Sequence, residues 1–327
     1  MSSPPPVSES AAPSLAFGFE HAPVAQLLGQ ADVLAVLGFG ATPGLPDDPR
    51  VLRVGLAPLQ AAAPFEVWRS SGTVACGRDG DLRWSGDGEH LFVALEVDEA
   101  AHGGIAGAAE YAYERLGRFL AGCPTPHLWR LWNYLDAINL GDGDDERYRR
   151  FCQGRARGMR TLDGAPYPAA TAIGRQDGVR VLQVYGLAAR RPGTPVENPR
   201  QVSAWRYPRQ YGPTAPTFAR GMRADARLLI SGTAAVVGHA SAHHDDLAAQ
   251  VDETLANLAS LLDTAGTTMP LGAPSQLKAY LRDPADAAFV AAALAARLPQ
   301  LGGLLLLAGD ICRRELLIEI DGVHRLR

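Results

Sequence analysis

The stretch RLLISGTAAVVGHASAHHDDLAAQVDETLANLASLLDTAG, residues 227–266, decides the fold. Its opening, RLLISGTAAVVG (227–238), is a short apolar run of the kind that forms a buried strand. From Leu247 to Leu262 apolar residues recur at helical spacing, with Asp245 and Asp246 placed as N-cap and first-turn acid and Gly266 just past the last turn. Toward the C-terminus, QLKAYLRD (276–283) reads as a second strand, and Pro284 opens a helix that runs to about Leu298. GGLLLLAGDI (302–311) and RRELLIEID (313–321) add two more strands. The order strand, helix, strand, helix, strand, strand predicts an α+β layer, with both helices on one face of a mixed sheet.

Toward the N-terminus a similar order recurs. HLFVALEVD (90–98) is a strand, GIAGAAEYAYERLGRFLAG (104–122) a helix, HLWRLWNYLDAI (127–138) a strand, DDERYRRFCQGRA (144–156) a helix, and GVRVLQVYGLA (178–188) a later strand. Repetition of element order predicts two related α+β halves. The Pro- and Gly-rich RRPGTPVENPRQ (190–201) sets the boundary near residue 195, giving halves 15–195 and 196–327, the second carrying the site. Residues 1–14, MSSPPPVSESAAPS, read as a flexible Pro/Ser tail with no signal or anchor character.

Composition excludes several classes. With 47% hydrophobic residues in 327, the chain can bury a substantial core. Its 31 Lys and Arg against 35 Asp and Glu leave a net charge of −4, which offers no footprint for nucleic acid. Cys76, Cys123, Cys152 and Cys312 form no C-x-x-C pair, so neither a disulfide framework nor a zinc site is expected, and a reducing cytoplasm fits. The apolar run 287–311 is broken by Arg297, Pro299, Gln300 and a Gly pair, so it predicts helix, turn and strand and no membrane span.

Several segments carry possible chemistry. LGFGATPG (37–44) imitates a dinucleotide fingerprint, but the prolines that follow deny it a helix, and a turn is expected. In GHASAHHDD (238–246), His239 and His243 would suit a metal only on a helix, and the segment reads as a loop; no metal is expected. RYRRFCQGRAR (147–157) holds five arginines, the pattern of a solvated helix face, from which one inward Arg could orient an acidic small molecule. AWRYPRQYGPTAPTFARG (204–221) presents Tyr and Arg from irregular backbone, where binding residues concentrate. In the last strand Leu316, Ile318 and Ile320 share one face and Glu319 lies on the other. Alternation alone makes Glu319 a solvated residue; shielding from water would make it a proton donor.

Taken together, LWNYLDAIN, RFCQGRA, YPRQYGP with FARG, SGTAAVVGHASAH and CRRELLIEIDG resemble the chorismatase family, in order, over most of residues 125–322. SGTA, the helix QVDETLANLASLLDTAG and LLIEIDG also resemble the RidA/YjgF fold. The resemblance implies an enzyme that cleaves the enolpyruvyl ether of chorismate to pyruvate and an aromatic or dihydroxylated acid, without cofactor or metal. It implies Glu319 as catalytic acid, Arg155 and Arg220 as carboxylate anchors with Tyr211 as hydrogen-bonding partner, and Cys312, Gly232 and Ala234 as residues of product choice. A cysteine at position 312 favours an arene-oxide route to 3-hydroxybenzoate, and the sequence looks closest to bifunctional members that also make 4-hydroxybenzoate, for pigment and ubiquinone biosynthesis. A homotrimer, or a trimer-like packing of the repeated fold, is the implied assembly. The alternatives are a hydrolytic chorismatase giving a dihydrodiol acid, a RidA-type imine deaminase, and a non-catalytic small-molecule binding module.

Overall fold

The structure, a computed structural model, describes residues 15–40, 44–60, 64–162 and 164–326. The tail expected over 1–14 lies outside the described residues. The first unit comprises β1 (Leu15–Glu20), a short helix α1 (Val24–Leu28), β2 (Val33–Phe39), β3 (Val51–Val54) and β4 (Phe65–Ser70). The second comprises β5 (Ala75–Asp79), β6 (Leu82–Gly86), β7 (His90–Asp98), α2 (Ile105–Ala121), β8 (His127–Asp136), α3 (Arg147–Gly158), β9 (Ala169–Arg175) and β10 (Val181–Ala189). In the third, β11 (Thr194–Val196), β12 (Gly221–Ala224) and β13 (Arg227–Ala234) lead into a hairpin, β14 (Val236–Val237) and β15 (Ala240–Ser241). It continues with α4 (Leu247–Thr264), β16 (Ser275–Leu281), α5 (Ala287–Arg297), β17 (Gly303–Ala308) and β18 (Ile318–Arg325).

The α+β class with mixed sheets holds, and the repetition goes further than the element order foretold. The second sheet runs β5-β6-β7-β10-β8-β9 and the third β11-β12-β13-β18-β16-β17, the same order position by position. In each, one neighbouring pair is parallel, β8 with β9 and β16 with β17. The first sheet, β1-β4-β2-β3 with β2 parallel to β3, repeats the last four strands of that order, β7-β10-β8-β9, a third time. The segment 15–195 therefore contains two sheets, one of them a shortened copy.

Helices cover the outer faces. α2 and α3 close the second sheet, and their approach needs Gly154, where a Cβ would lie 1.9 Å from the Ala106 carbonyl oxygen. α4 and α5 close the third; Asp246 caps α4 by accepting from Ala249 N at 3.0 Å. The inner faces of all three sheets share one core, with Trp68, Phe92, Trp132, Tyr185, Leu229 and Tyr280 buried together. Trp132 and Tyr185 stack at 4.9 Å between centroids. Two ion pairs are sunk in this core, Lys278 with Glu66 at 2.7 Å and Arg130 with Asp321 at 3.1 Å. Buried charge is tolerable only when hydrogen bonds replace the lost water, and those of Asp321 come from three other strands.

Two sequence expectations are adjusted. The closing strand begins at Ile318, not at Arg313, and residues 312–315 form bend and turn. The helix expected from Asp144 begins at Arg147, after a short 3-10 turn. The apolar run 287–311 is interrupted as expected, α5 ending at Arg297 and β17 starting at Gly303. Among the described residues no helix is long and apolar enough to cross a membrane.

Candidate active site

A cavity of about 480 Å³ opens where α3 and β9 of the second unit face β13 and the 312–319 segment of the third. Glu319, Cys312, Arg155, Arg220, Tyr211, Gly232 and Ala234 all line it. Residues scattered from 155 to 319 in sequence are thus brought to one wall-to-wall space.

Glu319 stands at the start of β18, paired with Ala234 on β13 and Tyr280 on β16. It is 5% exposed, which overturns the solvated position that strand alternation assigned it. The carboxyl has no ion pair among the described residues. Burial raises its pKa to about 8, and the negative charge of Asp321 adds to the shift, while Arg130, Arg220 and Arg313 oppose it. A carboxyl in this state is neutral at pH 7 and can donate its proton. Gly232 makes room for it: a Cβ there would lie 1.9 Å from Glu319 Oε1 and 3.3 Å from Thr171 Oγ1. The register of β13 against β18 shifts between Ile230 and Thr233, so the glycine sits in an irregularity of the ladder opposite the acid.

Three guanidinium groups face the cavity without a carboxylate partner among the described residues. Arg155 is 3% exposed, donates to the Thr217 carbonyl at 3.0 Å and lies 5.1 Å over the Tyr113 ring; its Nε has no partner. The other four arginines of the 147–157 run pair with Glu99, Glu146, Asp145 and Glu110. One arginine of that helix is therefore left to serve the cavity. Arg220 donates to the Val202 carbonyl at 2.9 Å and to Tyr207 Oη at 2.6 Å, and its Nε is likewise unpartnered. Arg313 lies 4.0 Å over the Tyr211 ring and donates to the His239 carbonyl at 2.8 Å. Cationic donors held by neutral groups keep their charge for a ligand.

Cys312 precedes the turn, so the parity that would have set it across a continuous strand from Glu319 does not apply. Burial, then the nearby Glu319, pushes its thiol up to about 12, and it acts as a neutral S–H group and not as a nucleophile. Tyr148, from α3, is raised well above the usual phenol range by burial and then by Cys152, Cys312 and Glu319, which places it beside all three.

Sequence reading passed over Arg313, Tyr148, Tyr207 and Thr171, all of which line the cavity. Tyr207 and Arg313 lie within motifs already singled out, AWRYPRQYGP and CRRELLIEIDG, and that adjacency was the usable signal for both. Thr171 sits on β9, a strand of small residues buried on both faces that shows no alternation. The two histidines do not converge: His239 Nδ1 meets Tyr211 Oη at 3.3 Å, whereas His243 pairs with Glu253 at 3.1 Å.

Comparison with known proteins places the chain in a family. The family model of the N-terminal part of FkbO/Hyg5-like chorismatases matches residues 66–188. A chorismatase of Streptomyces rapamycinicus is 34% identical over 275 residues, 79% of this chain and 81% of its own length. A 3-hydroxybenzoate synthase of Streptomyces hygroscopicus is 34% identical over 283 residues, 80% of this chain and 82% of its own. A chorismatase crystal structure at 1.08 Å resolution superposes with a TM-score of 0.82 at 31% identity, covering 96% of this chain and 98% of that one. With a third of its residues shared over four fifths of each length, and the same fold, the chain belongs to the chorismatase family.

Proposed function

We propose that the cavity converts chorismate to pyruvate and 3-hydroxybenzoate, with 4-hydroxybenzoate as a second aromatic product. The observation that carries this reading is a buried, neutral Glu319 facing a cavity with three unpaired arginines. Chorismate is a dicarboxylate whose enol ether resists cleavage until its methylene carbon is protonated. Arg155 and Arg220 hold the carboxylates, and Tyr211 supports the site together with Arg313. Glu319 then delivers its proton to the methylene, and the resulting oxocarbenium turns the side chain into a pyruvate leaving group.

Departure needs a nucleophile at ring C3. The hydroxyl at C4 closes on C3 as the C3–O bond breaks, giving an arene oxide, and its proton restores Glu319. Opening either epoxide C–O bond, with loss of the ring hydrogen, gives 3- or 4-hydroxybenzoate. The atoms balance without water, since chorismate is isomeric with pyruvate plus hydroxybenzoate. The neutral Cys312 thiol, beside Glu319, favours this internal closure by occupying space that water would need. The 3-hydroxybenzoate synthase among the relatives supports the aromatic outcome.

The test is incubation with chorismate alone, coupling pyruvate to lactate dehydrogenase and separating the acids by chromatography. Pyruvate with equimolar hydroxybenzoate, free of label when the water is H₂¹⁸O, is the expected result. Pyruvate with a dihydrodiol in place of hydroxybenzoate would replace the aromatic route by hydrolysis. No pyruvate above the spontaneous background would remove the enzymatic reading.

A further inference from the structure

Glu319 shares its strand and its face with Asp321, about 6.6 Å further along at strand rise. Asp321 is fully buried, and its Oδ2 takes donors from Arg130 at 3.1 Å, Trp132 at 2.9 Å, Thr171 at 2.8 Å and Tyr280 at 2.8 Å. Four donors converge on this one oxygen, the Arg130 guanidinium among them as an ion pair. Its Oδ1 has no hydrogen-bond partner, with Lys278 Nζ 4.0 Å away. Thr171 is the link to the cavity: its Oγ1 donates to Asp321, accepts from Arg130 at 2.5 Å, and stands beside Gly232 and the Glu319 carboxyl.

We propose that Asp321 is a positioning residue whose fixed negative charge holds the proton on Glu319 between turnovers and draws it back after each transfer. The proposal rests on Glu319 as the acid. When Glu319 gives its proton to the methylene carbon, two buried carboxylates stand two residues apart on one face of the strand, and like charges so placed resist joint ionisation. The proton freed from the ring hydroxyl is then taken up by Glu319, which lines the cavity, and not by Asp321, which lies behind its wall. The other groups facing Glu319 are Arg130 from β8, Arg220 beside β12, Arg313 and Cys312 from the turn, and Tyr148 from α3.

The charges predict opposite signs for neighbouring substitutions. Asp321→Asn should move the alkaline limb of kcat/KM down by roughly one to two pH units, and Arg130→Gln should move it up. A purely structural role would lower kcat at every pH and leave the limb in place, or shift both variants the same way. The midpoint of Glu319 itself is read in ligand-free protein carrying ¹³C-labelled glutamate carboxyls, the resonance assigned by its loss in Glu319→Gln. Parallel, oppositely signed shifts of midpoint and limb in the two variants are the expected result. An unmoved midpoint overturns the coupling and leaves Glu319 as donor. A midpoint that moves while the rate limb does not takes the donor role from Glu319, and the proposal with it. Should Asp321→Asn not fold, Arg130→Gln and Lys278→Met, each removing a compensating cation, decide the matter by the upward shift both must show.

Discussion

Gln183 and Glu319 stand at the same place in two sheets of the same order. Each begins the inward run of the last strand of its unit: Gln183 faces Tyr134 and Glu319 faces Tyr280, and three residues on Gly186 faces Leu131 as Gly322 faces Leu277. Their surroundings differ. The Gln183 amide donates to the Arg53 carbonyl at 2.7 Å and to Glu96 at 2.9 Å, while its oxygen accepts from Gly55 N at 3.0 Å. The first unit fills that cleft with its own backbone. Glu319 has an open cavity in front of it and no such partner. One topology therefore yields a sealed joint in one place and an open cavity in another, and the difference lies in whether the neighbouring unit satisfies the side chain.

Glu319→Gln breaks the comparison most directly, since it installs in the open cleft the side chain that the sealed one carries. A general acid contributes about 10² to 10⁴ in rate, and a loss of at least about 10³ in kcat is expected, with chorismate still protecting the variant against thermal unfolding. A rate within threefold of the parent would remove Glu319 from the chemistry. Gly232→Ala is next: its methyl would displace the Glu319 carboxyl, and a misplaced reacting group costs about 10². Steady-state kinetics should show kcat falling while KM changes little.

Stability tests the same pair. The Glu319 carboxyl has a folded pKa raised to about 8 from 4.5. Above the unfolded value the unfolded chain has already released this proton, so the fold loses stability as pH rises and the loss saturates above pH 8. Glu319→Gln should therefore melt higher than the parent at pH 9 and close to it at pH 4.5. In the sealed cleft, Gln183→Glu removes two donors and sets a second carboxylate beside Glu96. A destabilisation of about 1–3 kcal/mol is expected, read by urea denaturation, with turnover unchanged. The smallest effect is reserved for Cys312→Ala, which should change the proportion of hydroxybenzoate to dihydrodiol in the chromatogram more than it changes total pyruvate release.

The third unit was legible because its signals are local. Asp246 caps α4, Gly266 takes the left-handed conformation after it, and Pro284 opens the next turn, all within a few residues of the periodicity they punctuate. The first sheet was not, because β2 is buried along its whole length and shows neither alternation nor helical spacing. Its repeat is visible only in the order of pairing, which is a property of partners and not of segments. At the site, the resemblance singled out Glu319, Arg155 and Arg220, which line one cavity, but the burial and the Asp321 charge that raise the Glu319 pKa come from elsewhere. Arg130, Thr171 and Tyr280 reach Asp321 from three strands that are distant in sequence. A burial that depends on four strands leaves no mark on any one of them.

The threefold repeat within one chain has a kinetic meaning. Where equivalent clefts are built from identical subunits, every substitution is made in all of them at once, and an open cleft disappears when the subunits separate. Here the two walls of the cavity, one carrying Glu319 and the other Arg155, belong to the same polypeptide and need no second molecule to meet. Turnover in a cavity so built would be first order in protein at any dilution, and each copy of the repeat is free to diverge without dragging the others with it.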